Sequence, residues 1–239
     1  MSNNPASTVA LDRAEAAARR LDEWRSHLMK LASGSITEIQ ERTFLGRELR
    51  AAATVAAMAE LEALLRDMLV SICSEINNAA VEVRELVPSL RSLAANGGFD
   101  SLTNSADHGR RWEQRLVLTQ LDTSTAIAQL PGRISRGPQP PLDGRTIQPR
   151  QIFLTWEVLG LSNPVPSASI VASLKKLTQI RNDVAHRNVE IHEVFAEAGR
   201  TASEISRYLD DIILLVLHIG NEWGAYLEGA RYRAGVPAT

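Results

Sequence analysis

A helical bundle without a sheet is the fold class this sequence predicts, and three observations carry that expectation. Apolar residues recur at three- and four-residue intervals through several long runs, as amphipathic helices require. No segment of any length alternates apolar with polar residues as a half-buried strand does. Alanine and leucine are abundant, whereas aromatic residues make up only 5% of the chain.

The elements follow in order. Residues near 8–32 form an Ala-rich, charged helix with Leu11, Ala14, Ala18, Leu21, Leu28 and Leu31 on its apolar side, interrupted at Gly34-Ser35. Helix resumes to about residue 78, with Ile39, Leu45, Leu49, Val55, Met58, Leu61, Leu65, Met68, Leu69, Ile72 and Ile76 giving a broad apolar face that Gly46 is placed to divide. From about 86 to 166 the pattern breaks down. Pro88, Gly97-Gly98 and Gly109 punctuate short helical pieces, of which 110–130 is the clearest. A Pro/Gly-rich loop follows over 131–145, and with Arg150 it sets four arginines (Arg133, Arg136, Arg145, Arg150) against one acid, Asp143. Such a long loop is either a nucleic-acid contact or a solvated insertion. Past Pro164 and Pro166, with Ser167 or Ser169 to cap it, a helix carries Ile170, Val171, Leu174, Leu177, Ile180 and Val184. Helix is expected again over 190–198. A last strong helix spans about 201–228, with Ile205, Leu209, Ile212, Ile213, Val216, Leu217 and Ile219 inside.

Bulk properties exclude several classes of function. The 239 residues suffice for one large domain or two small ones with a sizeable core. A net charge of −2 supplies no global attraction for nucleic acid, so any such contact must be local. The single cysteine, Cys73, rules out an internal disulfide and a cysteine-based zinc site. Its apolar neighbours mark it as a small core residue. The first twenty residues lack the apolar stretch of a signal peptide, and the longest apolar run, Ile212 to Ile219, is too short to span a bilayer. A cytoplasmic protein with no membrane partner is the expectation. No Walker loop, dinucleotide fingerprint or metal-ligand cluster occurs, so neither a cofactor nor a metal is expected.

Chemistry concentrates in Ile180-Arg181-Asn182-Asp183-Val184-Ala185-His186, at the end of an amphipathic run. Spacing alone does not set this string apart, since Arg187 and His192 repeat it and Arg20 and His27 come close. The asparagine directly after the arginine does. On a helix, Asn182 and His186 share one face, and Arg181 lies about 100° round with a side chain long enough to swing toward them. An imidazole beside a guanidinium resists protonation, which favours a neutral general base near pH 7. A second reading fits the same residues: Asn182, Asp183 and His186 satisfying a helix end. His218, inside an apolar run, reads as a hydrogen-bonded core or interface histidine. Arg110, Arg111 and Arg115 read as a solvated face, and the four tryptophans show no stacking-platform spacing.

The string Ile180 to His186 resembles the Arg-x4-6-His signature of the HEPN superfamily, in which a polar residue follows the arginine. The segment Ala59 to Leu69 looks like the first core helix of that family, with the RiboL-PSP type as its best match, and Trp156 to Pro166 also fits. The resemblance divides the chain into an N-terminal helical extension (1–44), a HEPN-like bundle (45–228) with an insertion at about 86–150, and a C-terminal tail (229–239). It implies a homodimer with a composite active site and a metal-independent endoribonuclease leaving 2′,3′-cyclic phosphate and 5′-hydroxyl ends. A toxin or phage-defence role is implied with it. In those roles His186 moves the proton of the 2′-hydroxyl or of the leaving 5′-oxygen. Arg181 holds the scissile phosphate, Asn182 orients it or the imidazole, and Glu62 pairs with Arg181. RNA contacts are expected from Arg133, Arg136, Arg145, Arg150 and Arg187. The alternative is a non-catalytic HEPN module that binds RNA or a partner in a defence or toxin–antitoxin complex. An antitoxin or a nucleotidyltransferase is the partner the resemblance suggests.

Overall fold

Four long helices carry most of the buried apolar surface, and their sequences explain why they associate. The computed structural model describes residues 5–33, 44–130, 147–186, 191–196 and 200–235. Its helices among those residues are α1 (Pro5–Ala32), α2 (Phe44–Asn78), α3 (Pro88–Ala94), α4 (Asn96–Asn104), α5 (His108–Thr119), α6 (Pro149–Leu159), α7 (Ala168–His186), α8 (Ile191–Val194) and α9 (Ala202–Glu228). No strand occurs among the described residues, only two isolated antiparallel bridges, Glu82 with Ile127 and Leu86 with Arg233. The protein is all-α.

The segment 1–44, read above as an extension, contributes α1 to the common core. Ala10, Ala14, Ala17, Leu21 and Leu28 are all buried there. The inward stripe is mostly alanine because α9 approaches closely. A Cβ placed on Gly220 would sit 2.3 Å from that of Ala14, and Gly224 packs on the Ser7 backbone. Leu11, expected inside, is therefore displaced to the exposed edge of the helix. Antiparallel order is fixed by charge as well. Arg25 meets Asp210 of α9, Arg13 meets Asp67 of α2 at 2.7 Å, and Arg20 grips Glu60 through two bonds of 2.6 Å.

Helix α2 starts at Phe44 and includes Gly46, which is buried in its first turn, while the stretch before it, with Ile39, lies outside the described residues. Its inner face holds Met58, Leu61, Leu65, Met68, Ile72 and Ile76, but Leu45 and Val55 face outward. Cys73 is buried among them, and burial pushes its thiol up to about 11. It is a core residue, as its neighbours imply. The chain then clamps itself without a sheet. Val83 donates to the Ala126 carbonyl, Ala128 to that of Val81, and Val87 to that of Tyr232. The Asn77 side chain closes both ends of the Leu130 peptide, at 2.9 and 2.7 Å.

The piece expected helical over 110–130 is shorter: α5 stops at Thr119, and turns lead into those clamps. Of the helix expected over 190–198, the described residues hold the single turn of α8, while 190, 197 and 198 lie outside them. Helix α9 starts as its sequence dictates, with Thr201 and Glu204 forming a reciprocal capping box. Among the described residues no helix is long and apolar enough to cross a membrane.

Candidate functional site

The Arg181–His186 string occupies the last two turns of α7, and the rest of that helix explains how it is held. Ser167 caps the start, its hydroxyl accepting from the Ile170 amide. Ile170, Leu174, Leu177 and Ile180 are buried against α2 and α9. Ser173 donates to Asp211 of α9, and the buried Thr178 hydroxyl donates 2.7 Å to the Ile147 carbonyl. That last bond pins the entry to α6 against the flank of α7. Helix α6 begins there with a capping box between Gln148 and Gln151 and Pro149 in its first turn, and it ends on Gly160 in the left-handed region, φ 70°.

Between the α6 N-terminus and α7 lies a cleft of about 520 Å³, walled by Gln148 and Arg150 on one side and by Lys175, Gln179, Asn182 and Asp183 on the other. Asn182 thus sits where a ligand would meet it. Arg181 is half-buried on the adjoining face and does not line the cleft. Among the described residues it has no ion-pair partner. The backbone of His186 falls one turn beyond Asn182 in the same helix. The His186 side chain lies outside the described residues, as do Arg187 and the loop arginines Arg133, Arg136 and Arg145. Of the arginines expected to contact RNA, Arg150 alone is described, and it lies on the cleft. Glu62, expected to pair with Arg181, bonds Arg66 one turn along its own helix at 2.6 Å.

Asp183 has a different task. Its carboxylate accepts a 2.7 Å bond from Arg200, whose side chain is 5% exposed against 36% for Asp183. Arg200 also donates to the Val194 carbonyl at 2.9 Å, closing the turn that contains α8. Its own carbonyl accepts from Arg50, which is 4% exposed and lies 4.7 Å over the Phe195 ring. Two buried guanidiniums therefore brace the C-terminal end of α7 against the start of α9. Asp183 is thus engaged by the Arg200 side chain and supports the fold. Arg181 has no ion-pair partner in this brace among the described residues.

Sequence reasoning missed Arg50, Arg200, Lys175 and Gln179. Lys175 and Gln179 were within reach, since they precede Asn182 by seven and three residues and so share its face. The link between Arg50 and Arg200 gave no local signal, because the two lie 150 residues apart in the chain. His218 follows its bland reading: half-buried, it bonds the Asn163 carbonyl at 2.8 Å. Among the described residues no group of three His, Cys, Asp or Glu side chains is placed to hold a metal ion. Comparison with protein-family models, with curated proteins and with solved structures finds no match.

Proposed function

We propose that this chain is a metal-independent endoribonuclease of HEPN type, acting as a toxin or phage-defence effector. One observation supports the reading above the others: Asn182 of the Arg-Asn-x3-His string stands on the wall of a cleft that also presents Arg150 and Lys175. Arg181 beside it is uncommitted to any ion pair among the described residues. Asp183, the acid that could neutralise this corner, is already matched by Arg200.

In this reading His186 accepts the proton of the ribose 2′-hydroxyl or donates one to the leaving 5′-oxygen. The 2′-oxygen then bonds phosphorus as the P–O5′ bond breaks, giving a 2′,3′-cyclic phosphate and a 5′-hydroxyl. Proton transfer by a positioned imidazole contributes about 10²–10⁴-fold. Arg181 balances the charge on the phosphoryl oxygens, and losing one such stabiliser costs about 10²–10³-fold. Asn182 orients the phosphate or the imidazole. A homodimer apposing two such helix ends, and an antitoxin or nucleotidyltransferase partner, belong to the same proposal.

The test is expression of wild type beside the His186→Ala variant, scoring growth and RNA integrity together. Arrest with RNA cleavage by wild type alone supports the enzyme. Equal behaviour of the two folded proteins makes the chain a non-catalytic module that binds RNA or a partner.

A further inference from the structure

The face of α7 that bears Asn182 continues away from His186 through Gln179 and Lys175, at spacings that keep all three on one side of the helix. From Asn182 to Lys175 is about 10 Å along the axis. Across the cleft stand Gln148 and Arg150 of the α6 entry, held in place by the Thr178 bond to Ile147.

The charge that the described residues bring to this cleft is unbalanced. Among the described residues, Arg150, Lys175 and Asp183 are its charged lining, and Asp183 is spent on Arg200. Arg150 and Lys175 are exposed and have no hydrogen-bond or ion-pair partner among the described residues. Two unmatched cations, flanked by the amides of Gln148, Gln179 and Asn182, form a donor-rich trough leading out of the Arg181–His186 end. A chain of phosphodiesters meets all of those donors, because it carries an anionic oxygen at every repeat.

Resting on the ribonuclease reading, we infer that this cleft is a backbone subsite for single-stranded RNA. The strand leaves the scissile bond at the Arg181–His186 end and runs along α7. Lys175 and Arg150 contact the phosphates that flank the cleaved one, and Gln179 and Asn182 hydrogen-bond to the same stretch. The contact is with the backbone, so it sets how much RNA is held and leaves base choice to other residues.

The experiment is fluorescence anisotropy of a single-stranded RNA oligonucleotide made uncleavable by 2′-O-methylation, titrated with the full chain over a series of salt concentrations. Each lost phosphate contact lowers the slope of log affinity against log salt by about 0.7 for a single strand. Lys175→Gln and Arg150→Gln should each lower it by about that amount, and the double variant by about 1.4. Lys176→Gln, exposed on α7 but off the cleft, should leave it unchanged. All the substituted side chains are exposed, and a thermal melt verifies that the variants fold.

A double variant with the wild-type slope overturns the inference. So does an equal effect of Lys176→Gln, an absence of binding by wild type, or tighter Lys175-dependent capture of an acidic peptide than of the oligonucleotide. The two readings also fail separately. Binding through Lys175 and Arg150 without cleavage of unmodified RNA sinks the ribonuclease and leaves the subsite. Cleavage with unchanged slopes does the reverse.

Discussion

Replacing Arg200 with methionine removes the guanidinium that joins the end of α7 to the turn before α9 while keeping most of its volume. The bonds that vanish include one to the Asp183 carboxylate at 2.7 Å and one to the Val194 carbonyl at 2.9 Å. A hydrogen bond to a charged partner contributes about 1.5–3 kcal/mol and a neutral one about 1 kcal/mol. Losing one member of a fully buried pair costs about 3–5 kcal/mol, but Asp183 is 36% exposed and water recovers part of that loss. The expected destabilisation is about 2–4 kcal/mol, a fall in Tm of roughly 4–16 °C for a chain of this size. Urea denaturation followed by far-UV circular dichroism measures it. A double-mutant cycle with Asp183→Asn isolates the pair, with an expected coupling of about 1–2 kcal/mol. Coupling below about 0.3 kcal/mol, within the scatter of independent sites, would refute the brace. On the ribonuclease proposal, the Asp183→Asn variant should still cleave RNA, because the carboxylate is engaged by Arg200.

Gly220→Ala drives a methyl into Ala14, 2.3 Å from its Cβ, and should cost about 1–3 kcal/mol of unfolding free energy; adding Ala14→Gly should recover most of that loss. Burial raises the Cys73 thiol from 9.0 to about 11, so the unfolded chain releases its proton first. Stability therefore falls as pH rises from about 9 to 11, by roughly 1–3 kcal/mol, and a Cys73→Ala variant should show a shallower decline in the same denaturation series. Below pH 9 the native thiol should resist alkylation, whereas the urea-unfolded chain reacts. His218→Phe loses the bond to the Asn163 carbonyl and should lower stability by about 1 kcal/mol while leaving RNA cleavage intact, in contrast to His186→Ala.

Helix existence was legible because local periodicity and caps decide it. The Thr201–Glu204 box and the Ser167 cap both act where their residues stand in the sequence. Which face turns inward was less legible. Leu11 and Leu45 are apolar by type yet exposed, since α1 presents alanines to the glycines of α9 and neighbours alone determine which leucines are covered. The short extended clamps around Val83 and Leu130 were invisible, being stabilised by residues some forty to fifty positions away. At the candidate site, the helix that carries Arg181 and Asn182 followed from the sequence. The cleft beside Asn182 did not, because the Thr178–Ile147 bond that positions its second wall is tertiary. One of the two open readings had Asp183 satisfying a helix end, whereas the side chain that claims it is Arg200, 17 residues on.

Incubating the purified chain with a defined single-stranded RNA, and reading the chemistry of the new ends, tests the central claim most directly. A ribonuclease of this kind leaves 2′,3′-cyclic phosphate and 5′-hydroxyl ends in the presence of a chelator, and Arg181→Ala or His186→Ala in folded protein should abolish them. RNA left whole by a folded wild type, or cleavage that survives both substitutions, would contradict it.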